Sequence, residues 1–252
     1  MIPRLEIIGI TGLPHFEEND NIGSMIVDAA RDQGTALETG NIVVVTQKIV
    51  SKAEGSVVDL RDVEPSPLAE EFARQYDKDP RHVEVVLRET RRVVRMDRGI
   101  LIVETKHGFI CANAGVDASN VPGDENVSLL PEDPDRSARR LREGLMERTG
   151  FPVAVIISDT FGRPWRMGST DVAIGVAGMS PLNDYRGQID PYGYSLRVSV
   201  AAIADQIASA AELVAGKVSL VPVAIARGCR YLLDGEATAK PLLRDASQDL
   251  FR

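Results

Sequence analysis

Pro152-Val153-Ala154-Val155-Ile156-Ile157-Ser158-Asp159-Thr160-Phe161-Gly162-Arg163-Pro164-Trp165-Arg166 is the stretch that speaks most directly about the architecture of this chain. Its apolar run, residues 153–157, has the length and β-branching of a buried strand. Residues 158–166 are neither good helix nor good strand: an acid, a hydroxyl and two arginines surround the only tryptophan of the sequence. Ligands of α/β and related sheets bind where strands end at their carboxyl side, because loops converge there. Six further runs read as strands: 5–10, 42–45, 100–104, 109–112, 171–176 and 219–226. Asp97-Arg98-Gly99 predicts a tight turn from 93–95 into the strand at 100, so part of the pairing is antiparallel. Helices are predicted over 66–76 (a Ser-Pro start), 79 to about 91, 133–150 (both Asp-Pro starts) and 199–215, the last stopping at Gly216. Strands and helices interleave irregularly, which predicts an α+β fold with a mixed, partly antiparallel sheet. One domain spans residues 1–252, and any internal subdivision falls near 65–110 without a boundary that composition can place.

The bulk properties narrow the chemistry. The 252 residues are 44% hydrophobic and 26% charged, an ordinary globular balance, with only 5% aromatics, so the core is aliphatic. A net charge of −8 argues against nucleic acid or an anionic membrane surface as a partner. No run approaches the ~20 apolar residues of a membrane helix. The start MIPRLEIIGITGLP lacks the features of a secretory signal, and the two cysteines fit a reducing compartment, so a cytoplasmic protein is expected.

Four segments carry the residues that chemistry needs. Gly12-Leu13-Pro14-His15-Phe16 follows a strand and reads as a turn; His15 has no neighbour at metal-ligand spacing. Gln47, Lys48 and Lys52 follow the strand at 42–45, where two ammonium groups could reach phosphates or simply be solvated at a strand end. Asn113-Ala114-Gly115-Val116-Asp117-Ala118-Ser119-Asn120 offers hard oxygen ligands for a divalent cation, or else a turn in which Asp117 caps a helix. In the fourth, Asp159 beside Thr160 suits Mg2+ or Mn2+, and the planar forks of Arg163 and Arg166 suit phosphate or carboxylate. The sequence has no phosphate-loop or dinucleotide-turn motif, no nucleophile elbow and no zinc helix. The residues alone therefore point to metal-assisted chemistry on an anionic substrate.

Taken in order, these segments resemble the coenzyme F420-0:L-glutamate ligase family. The similarity rests on Gly12-Leu13-Pro14, VVVTQKIVSKAEG (43–55), NAGVDASN (113–120), LLPEDPD (129–135), IISDTFGRPWR (156–166), AIGVAG (173–178), PVAIARG (222–228) and the tail LLRDASQDLF (242–251). The resemblance implies a gamma-glutamyl-ligase-type α+β fold, an intimate homodimer, and a reaction in which GTP activates a carboxylate as an acyl phosphate that the amine of L-glutamate displaces. It implies F420-0, L-glutamate and GTP as partners, two Mg2+ or Mn2+ ions, and K+ as a further candidate. Residue by residue, Asp117 and Asp159 match ligands of one ion and Thr160 a ligand of the second. Leu13, Pro14, His15, Phe16, Gln47, Lys48, Lys52 and Asn120 match nucleotide contacts, as do Ala215, Gly216, Lys217, Val218, Ser219, Leu220 and Val221. Arg163 and Arg166 are assigned to catalysis on chemical grounds alone. One departure stands out: Lys217 lies where the archaeal pattern has a Glu for the second ion, and a protonated lysine cannot ligate a cation. Some bacterial relatives continue into a flavin-binding, nitroreductase-like domain; with the sequence ending at 252, that step is expected from another polypeptide. The competing readings are a ligase of the same mechanism for another carboxylate, a metal-dependent nucleotide phosphohydrolase, and a nucleotide-binding regulator without activity.

Overall fold

Alternation along two neighbouring strands builds the centre of the molecule. In β2 (Ile42–Thr46) and β8 (Ala154–Gly162), Val43, Val45, Val155 and Ile157 enter one buried cluster, while Ile42, Val44, Ala154 and Ile156 enter another. Side chains of a strand point alternately to its two faces, so a continuous apolar run demands cover on both sides. The structure, a computed structural model, describes residues 2–121 and 123–250; Phe251 of the tail lies outside them.

These strands form a five-stranded sheet with β1 (Glu6–Gly9), β9 (Ser169–Ala177) and β12 (Val223–Arg227), in the order β1-β12-β2-β8-β9. Only β2 and β8 run parallel, from Ile42 opposite Ala154 to Thr46 opposite Ser158; the other neighbours are antiparallel. On one face α1 (Ile22–Asp32) and α5 (Pro134–Thr149) contribute Ile26, Ala30, Ala138, Leu141 and Leu145. On the other, α6 (Ile203–Ala215) sets Ala204, Ile207, Ala208 and Ala211 against the sheet. Each fully buried Ile, Leu or Val in these layers contributes about 1.5–3 kcal/mol relative to exposure.

A parallel pair needs a crossover, and here it is a whole lobe. The chain leaves β2 into α2 (Gln47–Ala53), then β3 (Val57–Asp59), α3 (Pro67–Tyr76) and α4 (Pro80–Arg88). A three-stranded antiparallel sheet of β4 (Thr90–Asp97), β5 (Ile100–Thr105) and β6 (Ile110–Ala112) comes next, and β7 (Asn126–Ser128) pairs back with β3 before α5 returns to the main sheet. This lobe has its own core around Leu60, Phe72, Val83, Val86, Leu101 and Val127. A short antiparallel pair, β10 (Asn183–Asp184) and β11 (Val200–Ala201), lies in the long connection between β9 and α6.

The start signals act as expected at α3, α4 and α5: Ser66, Asp79 and Asp133 each accept a backbone N–H of the first turn, ahead of a proline. Gly150 ends α5 at φ +73°. Arg98 and Gly99, both at positive φ, turn β4 into β5 so that Asp97 faces Ile100. Four expectations need correction. Gln47, Lys48 and Lys52 sit on a helix rather than a strand end, because the chain coils directly after Thr46. The stretch from Ser158 to Gly162 is not loop: its backbone is satisfied by β9, as far as Gly162 opposite Ser169. Strand β12 begins only at Val223, and α6 only at Ile203, the residues before it being spent on β11. Helix α1 was not anticipated. Cys111 and Cys229 are free thiols, and among the described residues no helix is long and apolar enough to cross a membrane.

Candidate active site

The carboxyl ends of the parallel pair open into a cleft of about 600 Å3. From β2 and α2 come Thr46, Gln47, Lys48 and Lys52; from β8, Ser158, Asp159 and Thr160. The turn after β1 supplies Leu13, Pro14, His15 and Phe16, and the lobe supplies Asn120 and Val121. Asp171 of β9, Glu212 of α6 and Ala215, Gly216, Lys217, Leu220 and Val221 line the far side, and Ile49 and Pro222 complete the lining.

Two ammonium groups each sit in a nest of oxygens. Lys48 Nζ donates to Asp117 Oδ2 at 2.6 Å, Ser119 Oγ at 2.6 Å and the Ser119 carbonyl at 3.0 Å. Asp117 is not itself in the cleft lining, but this bond draws it to the edge. Its backbone is fixed by reciprocal bonds to Ser128, 3.1 and 2.9 Å, and its carboxylate accepts the Ser119 N–H at 2.7 Å. Burial works to raise the Asp117 pKa, but the Lys48 ammonium and the Ser119 donors outweigh it and hold the carboxyl below its ordinary value. Lys52, one helical turn from Lys48 and on the same face, has its pKa lowered by burial and by the Lys48 charge.

The second nest holds Lys217. Its Nζ donates to Thr160 Oγ1, lies 3.0 Å from Glu212 Oε1 and 3.5 Å from Asp171 Oδ1. Register explains the nest: Thr160 lies opposite Asp171 across β8 and β9, and its hydroxyl donates to Asp171 Oδ1 at 2.6 Å. Ser158 Oγ donates to the other carboxylate oxygen at 3.2 Å, and the Asp171 N–H donates to Glu212 Oε2 at 3.0 Å. Burial would lower the Lys217 pKa, yet the bond to Glu212 and the Asp171 charge raise it, so the ammonium stays protonated.

Asp159 is different. Among the described residues it makes no ion pair, and burial pushes its pKa up to about 7, with the Asp171 and Asp117 charges adding to the rise against the Thr160 N–H and Lys48. A half-buried carboxylate beside other carboxylates is a poor arrangement for an empty fold and a good one for a cation. The nearby Cys111 thiol is pushed up to about 12, by burial first and by Asp159 second, which makes it no nucleophile. Gln47 is 1% exposed; its Oε1 accepts from Ser51 at 2.7 Å, while its Nε2 is a buried donor with no partner among the described residues.

Residues 11–228 match the family described as F420-0:Gamma-glutamyl ligase. The chain belongs to that family. Proteins named "Coenzyme F420:L-glutamate ligase" align along almost the whole length. The one from Methanothermobacter thermautotrophicus is 44% identical over 98% of this chain and 99% of its own. That from Methanopyrus kandleri is 43% identical over 100% and 99%, and that from Methanocaldococcus jannaschii 39% over 99% and 97%. Membership of this ligase family makes the chain an amide-forming enzyme.

Of the positions named from the sequence of this glutamyl-ligase family member, most meet in the one cleft. Val218 and Ser219 are outside the lining, on the loop that carries Lys217. Arg163 and Arg166 are also outside it: they lie on the exposed hairpin between β8 and β9, where Arg163 donates to the carbonyls of Met167 at 2.5 Å and Gly168 at 3.3 Å. Trp165, 78% exposed, sits at the same tip. Sequence reasoning missed Asp171 and Glu212. The signal for Asp171 was its place at the head of a predicted strand that had to pair with something; Glu212 gave none beyond an acid on an otherwise apolar helix.

Proposed function

We propose that this chain joins L-glutamate to the terminal carboxylate of F420-0 at the expense of GTP, in the cytoplasm and as a homodimer. In the first step a carboxylate oxygen of the acceptor attacks the γ-phosphorus, the bond to the β-phosphate oxygen breaks, and GDP leaves. In the second, the glutamate amine attacks the acyl carbon, loses a proton, and expels inorganic phosphate. Further glutamates would be added through γ-carboxylates by the same two steps.

The observation that carries this reading is the convergence of Lys48, Lys52 and Lys217 with Asp159 in one cleft of an acidic protein. Lys48 and Lys52, presented from one face of α2, bind and orient phosphate oxygens. The unpartnered Gln47 Nε2 offers a donor to a nucleotide oxygen. Leu13, Pro14 and Phe16 supply an apolar wall that excludes water from an acyl phosphate. The donors fit a hard divalent cation: Asp159, with Asp117 beside it, would hold Mg2+ or Mn2+. Such an ion, when bound, offsets the charge that otherwise keeps two anions apart. The dimer is supported by apolar area on the three-stranded sheet, where Val93, Val94, Met96, Ile100 and Ile110 are exposed.

The test incubates the protein with GTP, Mn2+ or Mg2+ and F420-0, with and without L-glutamate, and reads product masses and free phosphate. The expected result is a mass gain of whole glutamyl units, with phosphate release in step with it. Phosphate released equally without glutamate would replace this reading with a phosphohydrolase; turnover of another carboxylate alone would change the acceptor. Light scattering of the purified chain tests the dimer.

A further inference from the structure

The cleft lining holds two acidic places, Asp159 and the group of Thr160, Asp171 and Glu212, and the two are not alike. Asp159 lines the cleft half-buried, and no lysine or arginine forms an ion pair with it among the described residues. The other place, formed by Thr160, Asp171 and Glu212, is filled by Lys217. Asp171 is 5% exposed and both its carboxylate oxygens already accept hydroxyl bonds. Its charge and that of Glu212 are drawn together there, and the ammonium is what balances them. A divalent ion entering this nest would have to expel a protonated lysine tethered to the loop just beyond α6.

We infer that this enzyme uses a single divalent ion, at Asp159, and that the Lys217 ammonium is a built-in second cation, held in the Thr160–Asp171–Glu212 nest and facing the phosphates of the bound nucleotide. The inference rests on the cleft being the nucleotide site of the ligase proposed above. A tethered charge has a physical advantage: it needs no free metal to assemble and is present before the nucleotide arrives. It also has a cost, since an ammonium offers three donors and no open coordination position.

Counting ions separates the possibilities. Mn2+ is titrated into the protein, alone and with GDP bound, and free Mn2+ is read by electron paramagnetic resonance. The wild type is expected to bind one Mn2+ per chain, and Lys217→Arg the same number. Lys217→Ala and Lys217→Gln, which vacate the nest while leaving its carboxylates, are expected to bind two. GTP turnover in these two variants should then need higher Mn2+ than the wild type, whose half-maximal concentration reports the first ion only. Circular dichroism verifies that each variant is folded. Two ions in the wild type, or an unchanged count in both neutral variants, overturns the inference and leaves the ligase reading intact. A wild type that binds GDP neither with nor without Mn2+ overturns the ligase reading, and the nucleotide-free count still decides the occupancy of the nest.

Discussion

In the function proposed above, Asp159 sets activity and stability against each other. Its carboxylate is shielded from solvent and has no ion pair among the described residues, so the metal-free fold carries it at a cost that an amide would not incur. Asp159→Asn is expected to remove glutamate ligation while raising the unfolding free energy by roughly 1–2 kcal/mol at pH 8. Denaturant melts beside product masses check both signs; a variant that ligates at near the wild-type rate ends the assignment. Asp117→Asn should also lose turnover and, unlike Asp159→Asn, lower stability modestly, because it discharges a carboxylate whose ionised form Lys48 and the Ser119 donors favour. His82, outside the cleft lining, predicts a pH effect on stability. Burial lowers its pKa from 6.5, with Lys78 adding to the shift and Asp79 and Asp117 opposing it. The folded chain therefore takes up this proton less readily than the unfolded chain, and stability falls as pH drops from 6.5 through the lower folded value. His82→Gln should flatten that fall, at most by about 1.4 kcal/mol for each unit separating the two pKa values. Equal slopes for the two proteins between pH 7 and 5 would remove His82 from the account.

At the scale of elements, α5 is locked to the sheet by one carboxylate and one missing side chain. Asp135 Oδ1 accepts the N–H groups of Val176 at 2.9 Å and Ala239 at 2.8 Å. Asp135→Ala leaves two buried donors unsatisfied and should cost about 2–4 kcal/mol in denaturant unfolding. Asp135→Asn keeps the acceptor and sheds a charge that burial penalises, so it should cost less than half as much. Gly175 is where α5 and β9 touch: a Cβ there would lie 2.3 Å from the Pro134 carbonyl oxygen. Gly175→Ala should therefore destabilise by about 1–3 kcal/mol, a cost that a neutral result in the same melts would exclude. The elements that could be read from sequence were those with local signatures: Ser66, Asp79 and Asp133 announce helices, and the valine run of β2 announces a strand. Helix α1 carries Ile22, Met25, Ile26 and Ala29 at helical spacing and could have been found. Strand β8 could not be traced past Ile157 from composition, because Ser158, Asp159 and Thr160 are polar and only pairing with β9 keeps them extended. The cleft was legible through Lys48, Asp117 and Asp159 once the family resemblance was admitted. Asp171 and Glu212 were not, since their meeting with Thr160 depends on strand register and on how α6 lies across β9.

For the molecule as a whole, the site is shared between two cores. Residues 47–153 leave the sheet and return to it between β2 and β8, and they carry Asp117 and Asn120 on a lobe with its own buried cluster. Asp159 and Thr160 stay on the sheet. A nucleotide at one hundred times its dissociation constant should raise the unfolding free energy by about 2.7 kcal/mol. An ion shared by Asp117 and Asp159 would act as a rivet through both bodies, so the stabilisation should not stop at the cleft. Amide exchange in β7, which is bonded to Asp117, and in β5, deeper in the lobe core, should slow when Mn2+ and GDP bind. The proposed metal would then also govern how freely the two halves breathe, and an enzyme starved of it would be a looser one.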